Sequence, residues 1–249
     1  MSDVLREIVA NNLPSASEVS IAELLRDVNL TRVRAHRPVW ARGEPIALTI
    51  LIRGYVGFER TTADGRRLTV GIGYPGRLYG IASVSSQMAA VDMMALTDVE
   101  IGIWPAGTLR RLIAADPPIG LDALDQLSAY VNLVTVKLDG YLHQGARGRV
   151  LRTLVRHGQL FFGDPPVLSR AYLPGLVGTT REMTGRVLRD LEREGTIARA
   201  GRTGLVVLRR DWLEGEAQEA VEDERIAPGA WPAMASDHVG HLTARLPPG

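Results

Sequence analysis

The residues best suited to chemistry on a partner lie in one stretch, VGTTREMTGRVLRDLEREGTI, positions 177–197. If this segment is helical, Arg181, Glu182, Arg186 and Arg189 share one sector, while Val187, Leu188 and Leu191 point into a core from the opposite one. A guanidinium grips guanine O6 and N7 through two parallel hydrogen bonds, and a Glu carboxylate accepts from the cytosine amino group. An Arg/Glu/Arg set at a helix start therefore suits the major groove of DNA. Gly178 permits a tight turn between two helices. Thr179 or Thr180 can cap the second helix, whose first N–H groups point outward and attract a phosphate. Blander roles exist for the same residues. Thr179-x-x-Glu182 also fits a capping box, and Arg186 and Arg189 also fit plain exposed charges.

Other chemistries find little support. The chain has no cysteine, which excludes disulfides, thiolate zinc and haem ligation, iron–sulfur clusters and a cysteine nucleophile. No Walker loop, GxSxG elbow or HExxH motif is present. Asp122, Asp125 and Asp139 fit the solvated face of a helix better than an acid–base cluster. The histidines, His36, His143, His157, His238 and His241, show no ligand-pair spacing. We therefore assign no catalytic residue, no metal and no enzymatic activity.

Charge is distributed unevenly in the 249 residues, whose formal net charge is +1. Residues 147–213 hold 13 Arg against 6 Asp/Glu, whereas residues 214–249 hold 2 Arg against 7. A basic block in a neutral chain points to a polyanion partner, and a solvated Arg-rich surface is the plainer explanation. No run approaches the ~20 apolar residues that cross a bilayer. The opening MSDVLREIVANN lacks a basic leader and a long apolar core, so neither a membrane nor secretion is expected. The expected location is cytoplasmic.

These side chains need elements to hold them. Residues 1–19 show no sustained pattern. Ile21, Leu24, Leu25 and Val28 predict a short amphipathic helix within 20–32. Residues 33–105 alternate β-branched runs with glycine. Leu48 to Phe58, an Asp64-Gly65 turn and Leu68 to Ile72 predict a hairpin, and Val99 to Trp104 another strand. Strands at this spacing suggest a small antiparallel roll. Leu109, Leu112 and Ile113 predict a helix stopped by Asp116-Pro117-Pro118. Then Leu124, Leu127, Val131, Val134, Leu138 and Tyr141 follow at steps of 3, 4, 3, 4 and 3 residues. Such a narrow stripe fits a parallel dimer seam, or a helix packed on its own domain. Gly140 and Gly145 suggest a hinge at its end.

Residues 147–213 read as helix, loop (Phe161 to Pro166), two helices joined at Gly178-Thr179, and a hairpin tipped by Gly201-Arg202-Thr203-Gly204. That is the order of a winged helix-turn-helix. The expected fold class is α+β: an N-terminal, jelly-roll-like antiparallel β-roll, a long helix (a dimerisation helix if two copies share its seam) and a C-terminal winged helix-turn-helix. The expected divisions are a segment 1–19, a roll 20–116, a helix 117–144, a DNA-binding unit 147–213 and an acidic, then Pro/Ala/Gly-rich, tail 214–249. The tail is expected to be ordered at most in part.

Residues 177–197 resemble the recognition motif of the CRP/FNR family of bacterial transcription regulators. Val177, Gly178, Thr180, Arg181, Glu182, Thr184, Arg186, Leu188, Leu191, Glu192, Gly195 and Ile197 match its pattern. Arg42-Gly43-Glu44, Leu51-Ile52-Arg53-Gly54, Thr62-Ala63-Asp64-Gly65-Arg66, Tyr74-Pro75-Gly76-Arg77-Leu78-Tyr79-Gly80 and Ala95-Leu96-Thr97-Asp98-Val99-Glu100 resemble landmarks of the family's sensory roll. The resemblance spans about residues 20–213. It implies a homodimer on a near-palindromic site in double-stranded DNA, with RNA polymerase as a further partner. It makes Arg181, Glu182 and Arg186 the base-reading positions, and Ser169, Arg170 and Thr180 phosphate contacts, with Arg202 of the wing adding backbone contact. Pro174 departs from the pattern inside the first helix of the motif, which it should shorten or bend.

The sensory segment departs further. Family members that bind cyclic AMP carry a Gly-Glu pair for the ribose and an Arg for the cyclic phosphate. Here Ile81 follows Gly80, and Ala89 or Met88 stands at the Arg position. No Lys or Arg occurs between Arg77 and Arg110. A buried phosphate without a cation costs several kcal/mol, of the order of the ~1.5–3 kcal/mol per charged hydrogen bond. We expect no cyclic AMP and assign no cofactor. The candidate pocket residues Gly80, Ile81, Ser83, Ser85 and Ala89 leave three alternatives: a pocket closed by Ile81, Val84, Met88, Met93 and Met94, an uncharged ligand, or another anion held by Ser83, Ser85 and Ser86. A competing function is a regulatory module that acts through a protein partner or small-molecule effector without reading DNA.

Overall fold

A computed structural model describes residues 2–222, apart from 63, 64, 66 and 86. Asp64 of the expected turn, Ser86, and the tail from 223 with His238 and His241 lie outside the described residues.

The chain begins with helix α1, Ser2–Asn12. Leu5, Val9 and Leu13, four residues apart, form one buried face, so residues 1–19 carry a pattern after all. Asn12 then pins the helix end: its Nδ2 donates to the Gly76 carbonyl (2.9 Å) and its Oδ1 accepts from Leu78 N (3.0 Å). Helix α2, Glu18–Asp27, is capped by the Ser17 side chain. Its buried Ile21 and Leu24 match the predicted face, but the helix stops before Asn29, where the first strand starts.

Strands β1 (Asn29–Val33), β2 (Pro38–Trp40), β3 (Thr49–Arg53), β4 (Val56–Thr61), β5 (Arg67–Gly73), β6 (Arg77–Tyr79), β7 (Asp92–Ala95) and β8 (Val99–Ile103) follow. A 3-10 turn, Ile81–Ser85, lies between β6 and β7. The strands pair into two four-stranded antiparallel sheets, ordered β1-β8-β3-β6 and β2-β7-β4-β5. This is the expected roll. The run Leu48 to Phe58 is not one strand, however. Gly54 adopts φ +82, and a Cβ there would collide with the Asp98 carbonyl. The chain turns at this glycine and passes from one sheet to the other. Between the sheets lie Leu51, Val56, Met93, Ala95, Val99 and Ile101, with Phe58 and Tyr79 against them.

Helix α3, Thr108–Ala115, leads into α4, Pro118–His143, where Pro118 suits a first helical turn. At ~1.5 Å per residue, α4 is ~39 Å long. Its first part is held on the N-terminal segment, and Lys137 Nζ ties its later part to the Val70 carbonyl of β5 (2.7 Å). Asp122 is buried and accepts from Ser15 N (2.9 Å), so it is not part of a solvated face. Gln126 Nε2 donates to the Asn12 carbonyl (2.6 Å).

The C-terminal unit comprises α5 (Ala146–Arg156), α6 (Gly158–Phe161), a 3-10 turn (Arg170–Tyr172), α7 (Leu173–Val177), α8 (Arg181–Arg193), β9 (Ile197–Ala200), β10 (Gly204–Val207) and α9 (Arg210–Glu222). Its core gathers Leu151, Leu154, Phe161, Leu173, Leu188, Leu191, Ile197 and Leu205. Phe161 ends a helix and is fully buried, rather than lying in a loop. Pro174 divides the first helix of the motif into the 3-10 turn and the five residues of α7. Helix α9 carries regular structure past residue 213, because Leu213 is buried in the same core and Glu216 lies 3.8 Å from Arg147.

Candidate nucleic-acid interface and sensory segment

Helix α8 starts at Thr180, whose Oγ1 accepts from Met183 N (3.1 Å). Thr180 is therefore the cap, and Thr179 is not. Glu182 becomes the second helical residue, one short of the position from which a capping-box carboxylate reaches back. Its carboxylate faces Arg186 instead, at 3.6 Å, on an exposed surface where such a pair holds weakly. Arg181, Glu182, Arg186 and Arg189 are all exposed, and Thr184, Val187, Leu188 and Leu191 are buried. Arg189 Nε bonds back along the helix to the Gly185 carbonyl (3.2 Å). The open N–H groups of the first turn, the positive end of the helix dipole and Arg181 coincide at one edge.

The other sequence-predicted contacts fall into two places. Ser169 caps the 3-10 turn, its Oγ accepting from Ala171 N (3.3 Å). Arg170 reaches the wing: its N donates to the Thr203 carbonyl (3.1 Å) and its Nη2 to the Arg202 carbonyl (3.2 Å). Ser169, Arg170 and Arg202 thus gather at the tip of the β9–β10 hairpin, with the Arg202 side chain exposed. Thr180 stands apart from them, at the start of α8.

Along α4, Leu124, Leu127, Val131, Val134, Leu138 and Tyr141 are between 39% and 56% exposed. Tyr130, Leu133, Val136 and Leu142 extend this apolar surface. A contiguous row of large apolar side chains is an interaction face. Tyr141 differs from the other five. Its ring lies against Gly178, at the turn before α8.

The five sensory candidates have different surroundings. Gly80, with φ +84, is pressed against the Ala47 carbonyl. Ile81 and Val84 pack on the cluster formed by α1, α2 and α3. Ser83 is buried, Ser85 is exposed and donates to the Ala82 carbonyl (3.0 Å), and Ala89 is buried beside Glu44 and Gly43. Met93 is fully buried, as the closed-pocket alternative requires, whereas Met88 is 54% exposed and closes nothing. A cation does come near: Arg110, on α3, donates from Nε to the Val84 carbonyl (3.1 Å). Sequence order alone does not bring Arg110 to this segment.

A junction that the sequence does not announce joins the roll to the C-terminal unit. Tyr74 Oη lies 2.5 Å from His157 Nδ1, and the two rings stack at 6.0 Å. Tyr55 meets Tyr74 edge-on at 5.8 Å. Tyr79 Oη accepts from Tyr74 N (2.8 Å) and donates to the Tyr74 carbonyl (3.2 Å). Leu96, Tyr55, Ile72 and Tyr74 of the roll pack into the core of the C-terminal unit. Burial pushes both Tyr74 and Tyr79 up to about 12, so their hydroxyls stay protonated. Burial, reinforced by Arg156 and Lys137, pushes His157 down to about 4. A neutral imidazole protonated at Nε2 accepts the Tyr74 hydroxyl at Nδ1.

Comparison with known proteins adds to this geometry. Residues 30–116 match the family model of the cyclic nucleotide-binding domain, and residues 148–216 that of the Crp-like helix-turn-helix domain. The chain is 26% identical over 180 residues to the cyclic AMP receptor protein of Thermus thermophilus, covering 69% of this chain and 83% of that protein. The structure of the c-di-GMP-responsive global regulator CLP from Xanthomonas campestris superposes with a TM-score of 0.63 at 26% identity, over 77% of this chain and 99% of that one. A CRP/FNR-family transcriptional regulator, also from Thermus thermophilus, shares the fold, with a TM-score of 0.64 at 21% identity, over 76% and 98% of the two chains.

Proposed function

Because the chain belongs to the CRP/FNR family of bacterial transcription regulators, we propose that it binds a near-palindromic DNA site as a homodimer, with α8 in the major groove. The observation that carries this reading is the exposed edge formed by Arg181, Glu182 and Arg186 on a helix whose other face is fixed in the core. Arg181, Glu182 and Arg186 read base edges. Ser169, Arg170, Thr180 and Arg202 hold phosphates, which sets register without choosing sequence. The exposed apolar stripe of α4 supports the dimer, in which each copy covers the other's Leu124, Leu127, Val131, Val134 and Leu138. Two-fold symmetry then spaces the half-sites by about one helical turn, ~34 Å. RNA polymerase is the partner through which bound DNA becomes an output, and the cytoplasm is the place of action.

Residues 20–116 form the sensory unit, 117–144 the dimerisation helix and 147–213 the DNA-binding unit. The relatives named above carry different effectors in their names, cyclic AMP in one and c-di-GMP in another, so the effector does not transfer with the fold. In this chain Phe58 and Tyr79 pack together inside the roll, with ring centroids 5.5 Å apart. Ile81 stands in place of the ribose-binding Glu. Both features favour a regulator that does not take cyclic AMP. Selection of bound duplexes from a random pool, with and without cell extract, tests the reading. An enriched two-fold motif is expected, and a pool that stays random would refute DNA reading. A motif that appears only with extract would reveal a diffusible effector.

A further inference from the structure

The spacing of α4 makes Tyr141 the last residue of the seam, but its surroundings belong to its own subunit. Gly178 has φ +67, and a Cβ built there would stand 2.5 Å from a Tyr141 ring carbon and 2.9 Å from its hydroxyl oxygen. The ring therefore lies directly against the Cα of the turn that launches α8. Gly178 N also donates to the Pro174 carbonyl (3.0 Å), closing α7. Two cations flank the ring, the Arg149 guanidinium at 5.7 Å and Lys137 Nζ at 5.9 Å from its centroid. Each is tied elsewhere. Arg149 Nε donates to the Val177 carbonyl (3.1 Å), the residue before Gly178, and Arg149 Nη1 also bonds to the Gln144 carbonyl in the connector. Lys137 Nζ donates to the Val70 carbonyl of β5 (2.7 Å). A ring with two anchored cations over it makes a stronger contact than an aliphatic side chain makes at the same place. Any residue but glycine at 178 would strike the ring and strain the backbone.

We propose that Tyr141 is a positioning residue for DNA recognition: with Arg149 it forms an intrachain strut that seats the Gly178 turn and fixes the N-terminal edge of α8 relative to α4. The proposal rests on the reading of α8 as the DNA-contacting helix. It moves Tyr141 out of the dimer seam and leaves the other five stripe residues there. Positioning matters because bidentate base contacts are lost with small displacements of the helix start.

Two substitutions separate strut from seam. Tyr141→Phe keeps the ring and its cationic neighbours. Tyr141→Leu supplies a side chain that suits a dimer seam but cannot fill the space between Arg149, Lys137 and Gly178. Amide hydrogen exchange of the full-length, DNA-free protein is read over residues 179–184. Sedimentation gives the dimer constant, and anisotropy gives the affinity for a duplex selected by the wild-type protein. We expect Tyr141→Leu to raise exchange over 179–184 at least tenfold and weaken DNA binding about tenfold at an unchanged dimer constant, with Tyr141→Phe within twofold of wild type in all three. Unchanged exchange in Tyr141→Leu would overturn the strut, as would a weakened dimer, which would return Tyr141 to the seam. Wild-type protein that selects no duplex would refute DNA reading and leave the strut to be decided by exchange alone.

Discussion

His157 gives the protein a specific weakness toward acid. The ring is only 8% exposed, stacked on Tyr74, and neighboured by Arg156 and Lys137. Its pKa falls from 6.5 to about 4 on folding. Above pH 6.5 both folded and unfolded chains carry a neutral ring, and the contribution of the junction is fully present. As pH falls from 6.5 toward 4, the unfolded chain takes up a proton that the folded chain refuses, and stability drains away. At ~1.4 kcal/mol per pH unit the loss reaches about 1 kcal/mol at pH 5.5 and about 2–3 kcal/mol at pH 4.5. For a chain of this size that is roughly 5–10 °C in Tm at the lower pH. Carboxylates titrate in the same range, so the measurement is a difference. Urea or thermal unfolding of wild type and His157→Phe is followed at pH 7.5, 6.5, 5.5 and 4.5. Phe retains the stacking surface and cannot be protonated. The gap between the two proteins should shift in favour of His157→Phe by about 2–3 kcal/mol between pH 7.5 and 4.5. Parallel pH profiles would refute the account of a buried neutral imidazole.

Other expectations follow from the DNA-facing elements and the helix seam. Leu127→Asp with Val131→Asp should convert dimer to monomer in sedimentation and abolish binding to a two-fold duplex, since each places a carboxylate in the proposed interface; a persistent dimer would remove α4 from that role. Glu182→Ala should relax base preference in a repeated duplex selection more than it weakens binding at low salt, and equal loss on selected and random duplexes would contradict base reading. Arg202→Ala should lower affinity on all sequences alike and reduce the salt slope by about one; a change confined to one sequence would make Arg202 a base reader. Titration calorimetry should give no stoichiometric heat with cyclic AMP at micromolar concentration, and a one-to-one isotherm would restore the cyclic-nucleotide pocket.

Much of this architecture is written in local pattern. The period of 3.5 along Leu124–Leu138 marks a helix with an uncovered stripe, and the structure leaves that stripe exposed. The α8 motif is legible because capping, face and turn act within a few residues. What escapes is set at long range. His157 is an isolated histidine in the sequence, and nothing local says that Tyr74, 83 positions away, will meet it. Arg110 approaches Val84 only once α3 has packed beside the 3-10 turn. Tyr141 has the spacing of the seam, and only the position of Gly178 turns it toward its own subunit. At α1 the signal is local but short: Leu5, Val9 and Leu13 are spaced for one face over barely three turns. The cap at Thr180 rather than Thr179 is a choice between neighbours, settled by backbone conformation, with Thr180 at φ −75 and ψ 157.

Arg170 spans the gap between the 3-10 turn and the hairpin, with both its backbone N–H and its guanidinium on carbonyls of residues 202 and 203. The 3-10 turn that opens the helix-turn-helix and the wing tip are therefore tied to each other. In the DNA complex proposed above, this turn and the hairpin would meet one sugar–phosphate ridge as a unit, so little further ordering is owed when the second of them touches.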